Sequence, residues 1–126
     1  MTGLVKARLE SLGYNASDED NPLLEICRQR AEDSIRNICN IPEGGDIPRE
    51  LSSIVIERVC GEFLFVKRMS GQLEIPAAVK QIAEGDVSVS FSEGSSDGER
   101  LDKLIDRLIH GGERELLRFR RIRWFK

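Results

Sequence analysis

The segment from Ile54 to Val66 is apolar on almost every side when it is wound as a helix. Such a helix is stable in water only when other elements surround it, because burial of apolar surface is the main force that favours folding. The sequence therefore predicts a central helix from about Ile47 to Ser70, with Asp46 as its N-terminal cap. A narrow polar strip remains on it, formed by Glu57, Arg58, Gly61, Glu62 and Arg68.

Two amphipathic segments precede the central helix. The first predicts a short helix from Leu4 to Leu12 that ends at Gly13. The second begins with Asn21 as its cap and Pro22 at the first helical position, where the missing N–H of proline is harmless. Its apolar residues recur at spacings of three and four, which indicates one buried face: Leu24, Cys27, Ala31, Ile35 and Ile38.

A last amphipathic segment follows later in the chain. Ser96 and Glu99 form a capping-box pattern at its start, and Gly111–Gly112 ends or kinks it. Because 126 residues make one domain, we predict a single, mainly α-helical domain over residues 1–126. The apolar stripe of this helix consists of Leu101, Leu104, Ile105, Leu108 and Ile109.

The loop of residues 79–92 has a different pattern. Val79–Ala83 and Asp86–Phe91 can pair across a Glu84–Gly85 turn, which predicts a short β-hairpin. An isolated hairpin is marginally stable in water, so the apolar face of this one needs a surface to lie on. That face consists of Val87, Val89 and Phe91.

Two further features concern the surface. Phe65 falls within the polar strip of the central helix, either as an ordinary exposed aromatic residue or as a contact for another chain. The C-terminal segment 113–126 carries a net charge of +4, whereas the rest of the chain carries −7. Its aromatic residues either fold back onto the helices, stack on nucleic-acid bases or dock on a partner protein. Its candidate contact residues are Arg118, Arg120, Arg121, Arg123 and Trp124.

The sequence offers little for catalysis. The single histidine, His110, lies at a predicted helix end, and the motifs of phosphate-binding loops, zinc hydrolases and esterase elbows do not occur. Cys27, Cys39 and Cys60 form no CxxC pair and fall at apolar helical positions, so we interpret them as reduced core thiols. We expect no enzymatic activity, no cofactor and no metal site.

Hydropathy and the N-terminal residues predict the compartment. No apolar run approaches the roughly 20 residues that a membrane span requires. The start MTGLVKARLE reaches charged residues too soon for a signal peptide. We therefore expect a protein of the cytoplasm without a membrane partner.

The order of these segments resembles a known family. The central helix ends FLFVKRMSG, and VKQIAEGDVSVSFSEG precedes the last helix, which runs into a basic, aromatic terminus. The chain thereby resembles the head-to-tail connector, or head completion, proteins of long-tailed double-stranded DNA bacteriophages, including the YqbG-type prophage proteins. The matching residues are Val79, Lys80, Ile82, Gly85, Asp86, Ser88, Val89 and Phe91.

The resemblance implies a small helical bundle from which the hairpin loop protrudes. It also implies a ring of about a dozen copies below the phage portal, through which packaged DNA passes. The hairpin face would then lie against a neighbouring subunit, or alternatively on its own bundle. The resemblance implies that the C-terminal segment docks on the portal protein and that the ring offers a platform for the next tail-side component. Assembly would take place in the cytoplasm of the bacterial host.

Two other classes of function remain open at this point. A small nucleic-acid-binding regulator would use the arginines of the C-terminal segment to neutralise phosphates. A helical adaptor of some other cellular complex would leave the VKQIAEGDVSVSF segment without an explanation.

Overall fold

The computed structural model describes residues 2–42, 44–71 and 97–120. This part of the chain is mainly helical, as predicted. The predicted hairpin and Ser96 of the capping box lie outside the described residues. The α-helices are α1 (Thr2–Ser11), α2 (Asn21–Cys39), α3 (Ser52–Met69), α4 (Asp97–His110) and α5 (Glu113–Arg118), and 3₁₀ turns cover Asp18–Asp20 and Arg49–Leu51.

Helix α3 is the central element, which confirms the prediction. Helices α1, α2 and α4 all contact it and all run antiparallel to it. Their buried side chains form a single apolar core. The fully buried members include Leu9, Ile35, Leu51, Val59, Phe63, Leu101, Leu104 and Leu116.

The predicted amphipathic faces are also confirmed. In α2 the residues of the predicted stripe are buried except Ile38, which is partly buried against the core. In α4 the stripe is buried in the same way, with Ile109 at its edge. Helix α2 ends at Asn40, whose left-handed φ of 57° stops the helix.

The prediction for the start of the central helix is wrong by about one turn. Asp46 does not cap it, because Pro48 intervenes and starts a 3₁₀ turn that leads into α3 at Ser52. A proline disfavours the helical conformation of the residue before it, here Ile47. The chain therefore enters the helix only after Pro48.

The predicted polar strip of α3 is only partly exposed: Glu57, Glu62 and Arg68 are half-buried. Arg58 and Gly61 are buried, and α4 packs directly over them. A Cβ atom on Gly61 would lie 2.8 Å from Leu108 Cβ and 2.9 Å from the Ile109 backbone nitrogen. The missing side chain of Gly61 is thus what lets α3 and α4 approach closely.

The three cysteines are buried and form no disulfide, as predicted. Burial raises the pKa of the Cys27 thiol to about 11 and that of Cys60 to about 12. Both therefore remain protonated thiols at neutral pH, a form that is a poor nucleophile. Among the helices that the structure describes, none is long and apolar enough to cross a bilayer.

The close approach of α4 to α3 at Gly61 can be tested by adding one methyl group. We expect Gly61→Ala to lower the free energy of unfolding by about 1 kcal/mol, because overpacking costs about 1–3 kcal/mol and the gain in helix propensity offsets only about 1. Gly3→Ala is the matched control, since its Cβ would meet no atom within 4 Å. Urea unfolding measures both, and equal stability of the two variants would contradict the packing argument.

Candidate interaction surfaces

A buried arginine holds the C-terminal end of the molecule in place. Arg58 in the middle of α3 is only 4% exposed. Its Nε and Nη2 atoms donate hydrogen bonds to the carbonyl oxygen of Gly111, at 3.3 and 3.1 Å. Burial lowers the pKa of the Arg58 guanidinium, which nevertheless stays protonated at neutral pH. Arg58 therefore acts as a charged cap for the carbonyl end of α4.

The turn after α4 is shaped by two glycines. Gly112 has a φ of +78°, a conformation that favours glycine. A Cβ atom there would also lie 2.8 Å from Ile54 Cγ1 on α3. At Gly111 the Cβ would lie 2.8 Å from the Arg107 carbonyl oxygen. The two glycines thus let the chain turn out of α4 while it stays close to the surface of α3.

Helix α5 is then attached to the end of α2. Leu116 is fully buried, and the Cys39 thiol donates a hydrogen bond to the Leu116 carbonyl oxygen at 3.2 Å. Phe119 packs partly against the core after the end of α5. Of the three alternatives left open by the sequence, Phe119 follows the one in which an aromatic residue folds back onto the helices.

The opposite side of α5 is left to solvent. Arg114 and Arg118 are four residues apart on one face, and both are exposed. Leu117 beside them is 50% exposed although it is apolar. Together with exposed Arg120, these residues form what we call the basic end of the bundle.

At the other end of the bundle, a small polar cluster joins the start of α2 to the end of α3. Lys67 Nζ lies 3.0 Å from Asp20 Oδ1, with both side chains largely buried. The Ser17 backbone N–H donates to Asp20 Oδ2 at 3.1 Å, and Tyr14 Oη donates to the same oxygen at 3.5 Å. The Lys67 ammonium also lies 5.5 Å from the centre of the Phe63 ring.

The cluster changes the titration of its charged members. Burial alone would raise the pKa of the Asp20 carboxyl, but the hydrogen bonds from Ser17 and Lys67 and the positive charge of Lys67 outweigh burial and hold the pKa below 3.8. The Asp20 hydrogen bond correspondingly raises the pKa of Lys67 above 10.5. The ion pair is therefore intact at neutral pH.

Apolar side chains are exposed at this same end. Phe65 is 43% exposed and Met69 72% exposed, one helical turn apart on α3. Exposure of Phe65 is what the sequence predicted, whereas Met69 was not singled out from the sequence. Ion pairs border the two residues, Arg30–Glu62 at 3.8 Å and Arg68–Asp102 at 3.4 Å. An apolar centre with a polar rim is typical of protein interfaces.

The molecule also has an open cavity of about 310 Å³ between α1, α3 and α4. Ile54, Leu104 and Leu108 contribute its apolar wall. Its carboxylate, Glu57, is already paired with Arg8, whose Nε lies 2.8 Å from Glu57 Oε1. Over the three described ranges, no group of three or more potential ligands could hold a metal ion.

The other sequence-predicted site residues are located as follows. His110 is the last residue of α4, and its Nε2 lies 3.6 Å from Asp106 Oδ1 at the exposed surface. Arg118 and Arg120 are exposed at the basic end. The remaining predicted contacts, Val87, Val89, Phe91, Arg121, Arg123 and Trp124, lie outside the described residues.

Comparisons of the chain with protein-family models, with curated proteins and with solved structures found no match.

The role of Arg58 in holding α5 can be tested by removing its guanidinium. We expect Arg58→Met to lower the free energy of unfolding by about 1–3 kcal/mol, because the half-buried Gly111 carbonyl loses both of the hydrogen bonds that Arg58 donates to it. Arg68→Met is the matched control on the same helix, and we expect a change within about 1 kcal/mol since its ion pair is more exposed. In Arg58→Met we expect faster hydrogen exchange that is confined to α5 and the turn before it. Equal exchange in Arg58→Met and Arg68→Met would contradict the role of Arg58 in holding α5.

The Asp20–Lys67 pair predicts a specific pH dependence. Because folding lowers the pKa of Asp20 below 3.8, its contribution is fully present above that pH and is lost as the pH falls through the folded-state value. We expect the stability difference between wild type and Asp20→Asn to be largest near neutrality and to shrink below about pH 4. Urea unfolding at several pH values measures this difference. The exposed Asp33→Asn is the control; a similar pH dependence of its stability difference would contradict the assignment to Asp20.

Proposed function

We propose that this protein is a non-enzymatic connector of a bacteriophage or prophage virion. Copies form a ring below the portal, join head to tail, extend the channel for the packaged DNA and present a platform to the next tail-side component. In this role the C-terminal segment docks on the portal, and the hairpin face of Val87, Val89 and Phe91 lies against a neighbouring subunit. The proposal rests first on the resemblance of the VKQIAEGDVSVSF segment and its position before the last helix.

The observation that best supports the proposal is the attachment of α5. Arg58, Gly112 and Cys39 hold the described start of the C-terminal segment against α2 and α3, while the basic side of α5 stays exposed. A docking segment benefits from such a fixed base, because less conformational freedom is lost on binding.

The charge distribution is also consistent with a DNA channel. The body of the molecule is acidic, and an acidic wall does not retain phosphates that must slide past it. Any DNA in the ring would therefore be enclosed rather than bound.

A nucleic-acid-binding regulator is the second candidate, supported by exposed Arg118 and Arg120. The same segment holds Glu113 and Glu115, also exposed, which repel phosphates. Binding to a duplex would have to rely on a short stretch, and it would fall steeply with salt.

The first experiment is cosedimentation of the purified protein with DNA-filled, tailless heads that carry the portal. We expect many copies to bind per head, and heads without the portal to bind none. Trp124→Ala or Phe91→Asp should leave the monomer folded, as judged by circular dichroism, but block attachment. Asp33→Lys, a charge reversal at an exposed position of α2, is the control and should attach normally.

Two results would decide against the connector. Normal attachment of both Trp124→Ala and Phe91→Asp would remove the assigned interface roles. Failure to bind heads, together with salt-sensitive binding to free duplex that deletion of residues 118–126 abolishes, would favour the regulator.

A further inference from the structure

Helix α5 is attached to the rest of the molecule by few groups. The structure describes all six of its residues, and Leu116 is the one that is buried. Each of the other described α-helices buries at least two side chains, such as Val5 and Leu9 of α1 or Leu104 and Leu108 of α4. Because burial of apolar surface is what holds a helix to a bundle, α5 is the most weakly held of the described α-helices.

The polar contact beneath α5 is weak as well. The Cys39 thiol donates to the Leu116 carbonyl oxygen, and a thiol is a poor hydrogen-bond donor. A helix of six residues is also too short to persist in water without packing against other elements. Detachment of α5 therefore costs less than separation of any other pair of described helices.

The chain has a pivot directly before α5. Gly112 lies in the left-handed region at a φ of +78°, where glycine has more conformational freedom than any other residue. Gly111, one residue earlier, is held because its carbonyl oxygen accepts two hydrogen bonds from Arg58. Rotation at Gly112 therefore moves α5 without moving α4.

We propose that α5 opens as a unit about Gly112 while the core of α1 to α4 stays folded. In the closed form, which is the form in this structure, Leu116 is buried and Phe119 packs partly against the core. The open form adds both side chains to the apolar surface that Leu117 already exposes, and it uncovers Cys39. The inference goes beyond the proposed function, because it concerns the movement of the C-terminal segment and holds for any partner on which that segment docks.

The cysteines make this opening measurable. Cys39 is 0% exposed in the closed form and lies directly beneath Leu116. Cys27 is also buried on α2, but it is about 18 Å from Cys39 along the helix axis, at about 1.5 Å per residue. Opening of α5 therefore uncovers the Cys39 thiol and leaves the Cys27 thiol inside the core.

Maleimide labelling of the reduced full chain, with peptide mass spectrometry to assign each site, tests the inference. Each rate is divided by the rate of the same thiol in the urea-unfolded chain, which removes differences in intrinsic reactivity. We expect Cys39 to label at least about tenfold faster than Cys27, because local opening is more frequent than unfolding of the core. Equal normalised rates at Cys39 and Cys27 would overturn the inference.

Two substitutions should make the opening more frequent. Leu116→Ala removes the buried contact of α5, so we expect Cys39 to label at least about tenfold faster than in wild type, with Cys27 unchanged. Gly112→Ala strains the closed form, because its φ is positive and its Cβ would lie 2.8 Å from Ile54 Cγ1. It should accelerate Cys39 labelling without altering any side chain of α5.

Each substitution has a matched control. Leu117→Ala truncates the neighbouring leucine, which is 50% exposed. Gly71→Ala adds a Cβ at a φ of +76° with no atom within 4 Å, at the far end of α3. We expect both controls to keep the Cys39 rate within about twofold of wild type, because neither changes the contacts of α5 with the core.

Two results with the variants would also overturn the inference. Equal acceleration of Cys27 and Cys39 in Leu116→Ala would show that α5 unfolds only with the core. An unchanged Cys39 rate in both Leu116→Ala and Gly112→Ala would show that neither the Leu116 contact nor the Gly112 turn controls access to the thiol. The measurement uses neither heads nor duplex, so its failure is distinguishable from failure of the connector function.

Discussion

The two hydrogen bonds from Arg58 to the Gly111 carbonyl oxygen are the interaction on which the C-terminal half of the molecule depends. They require a guanidinium inside the bundle, which is costly to desolvate and stable only with a fixed acceptor. That acceptor is fixed because α4 approaches α3 over Gly61, and Gly112 lies against Ile54. Close packing and the buried charge therefore support each other.

Charged groups lie at both ends of the bundle. At one end the hydrogen bonds from Arg58 to Gly111 hold α5, whose arginines are exposed. At the other end, Asp20 and Lys67 neutralise each other inside while Asp18 and Glu19 remain outside.

The same features bear on the choice between functions. A nucleic-acid-binding protein usually gathers its cations on one surface, free of carboxylates. Here the exposed arginines of α5 alternate with Glu113 and Glu115 and are accompanied by Leu117. Mixed charge around an apolar side chain favours a protein partner, which agrees with a connector that docks on a portal and on its neighbours.

Much of the fold could be predicted from the sequence, because helix periodicity and end signals are local. The apolar stripes of α2 and α4 and the central position of α3 follow from spacing alone. The start of α3 was mispredicted because the effect of Pro48 outweighed the capping potential of Asp46. The exposure of Phe65 was correctly expected, since its position on the helical wheel lies among polar residues.

The sequence by itself determined which segments are helical, which cysteines are buried and that the C-terminal segment is basic. Only the tertiary structure decided what happens to the polar strip of α3. Arg58 and Gly61 look like solvent-facing positions on one helix, and only the arrival of α4 buries them. The Asp20–Lys67 pair is likewise invisible along the chain, because its two residues meet only after antiparallel packing has brought the start of α2 to the end of α3.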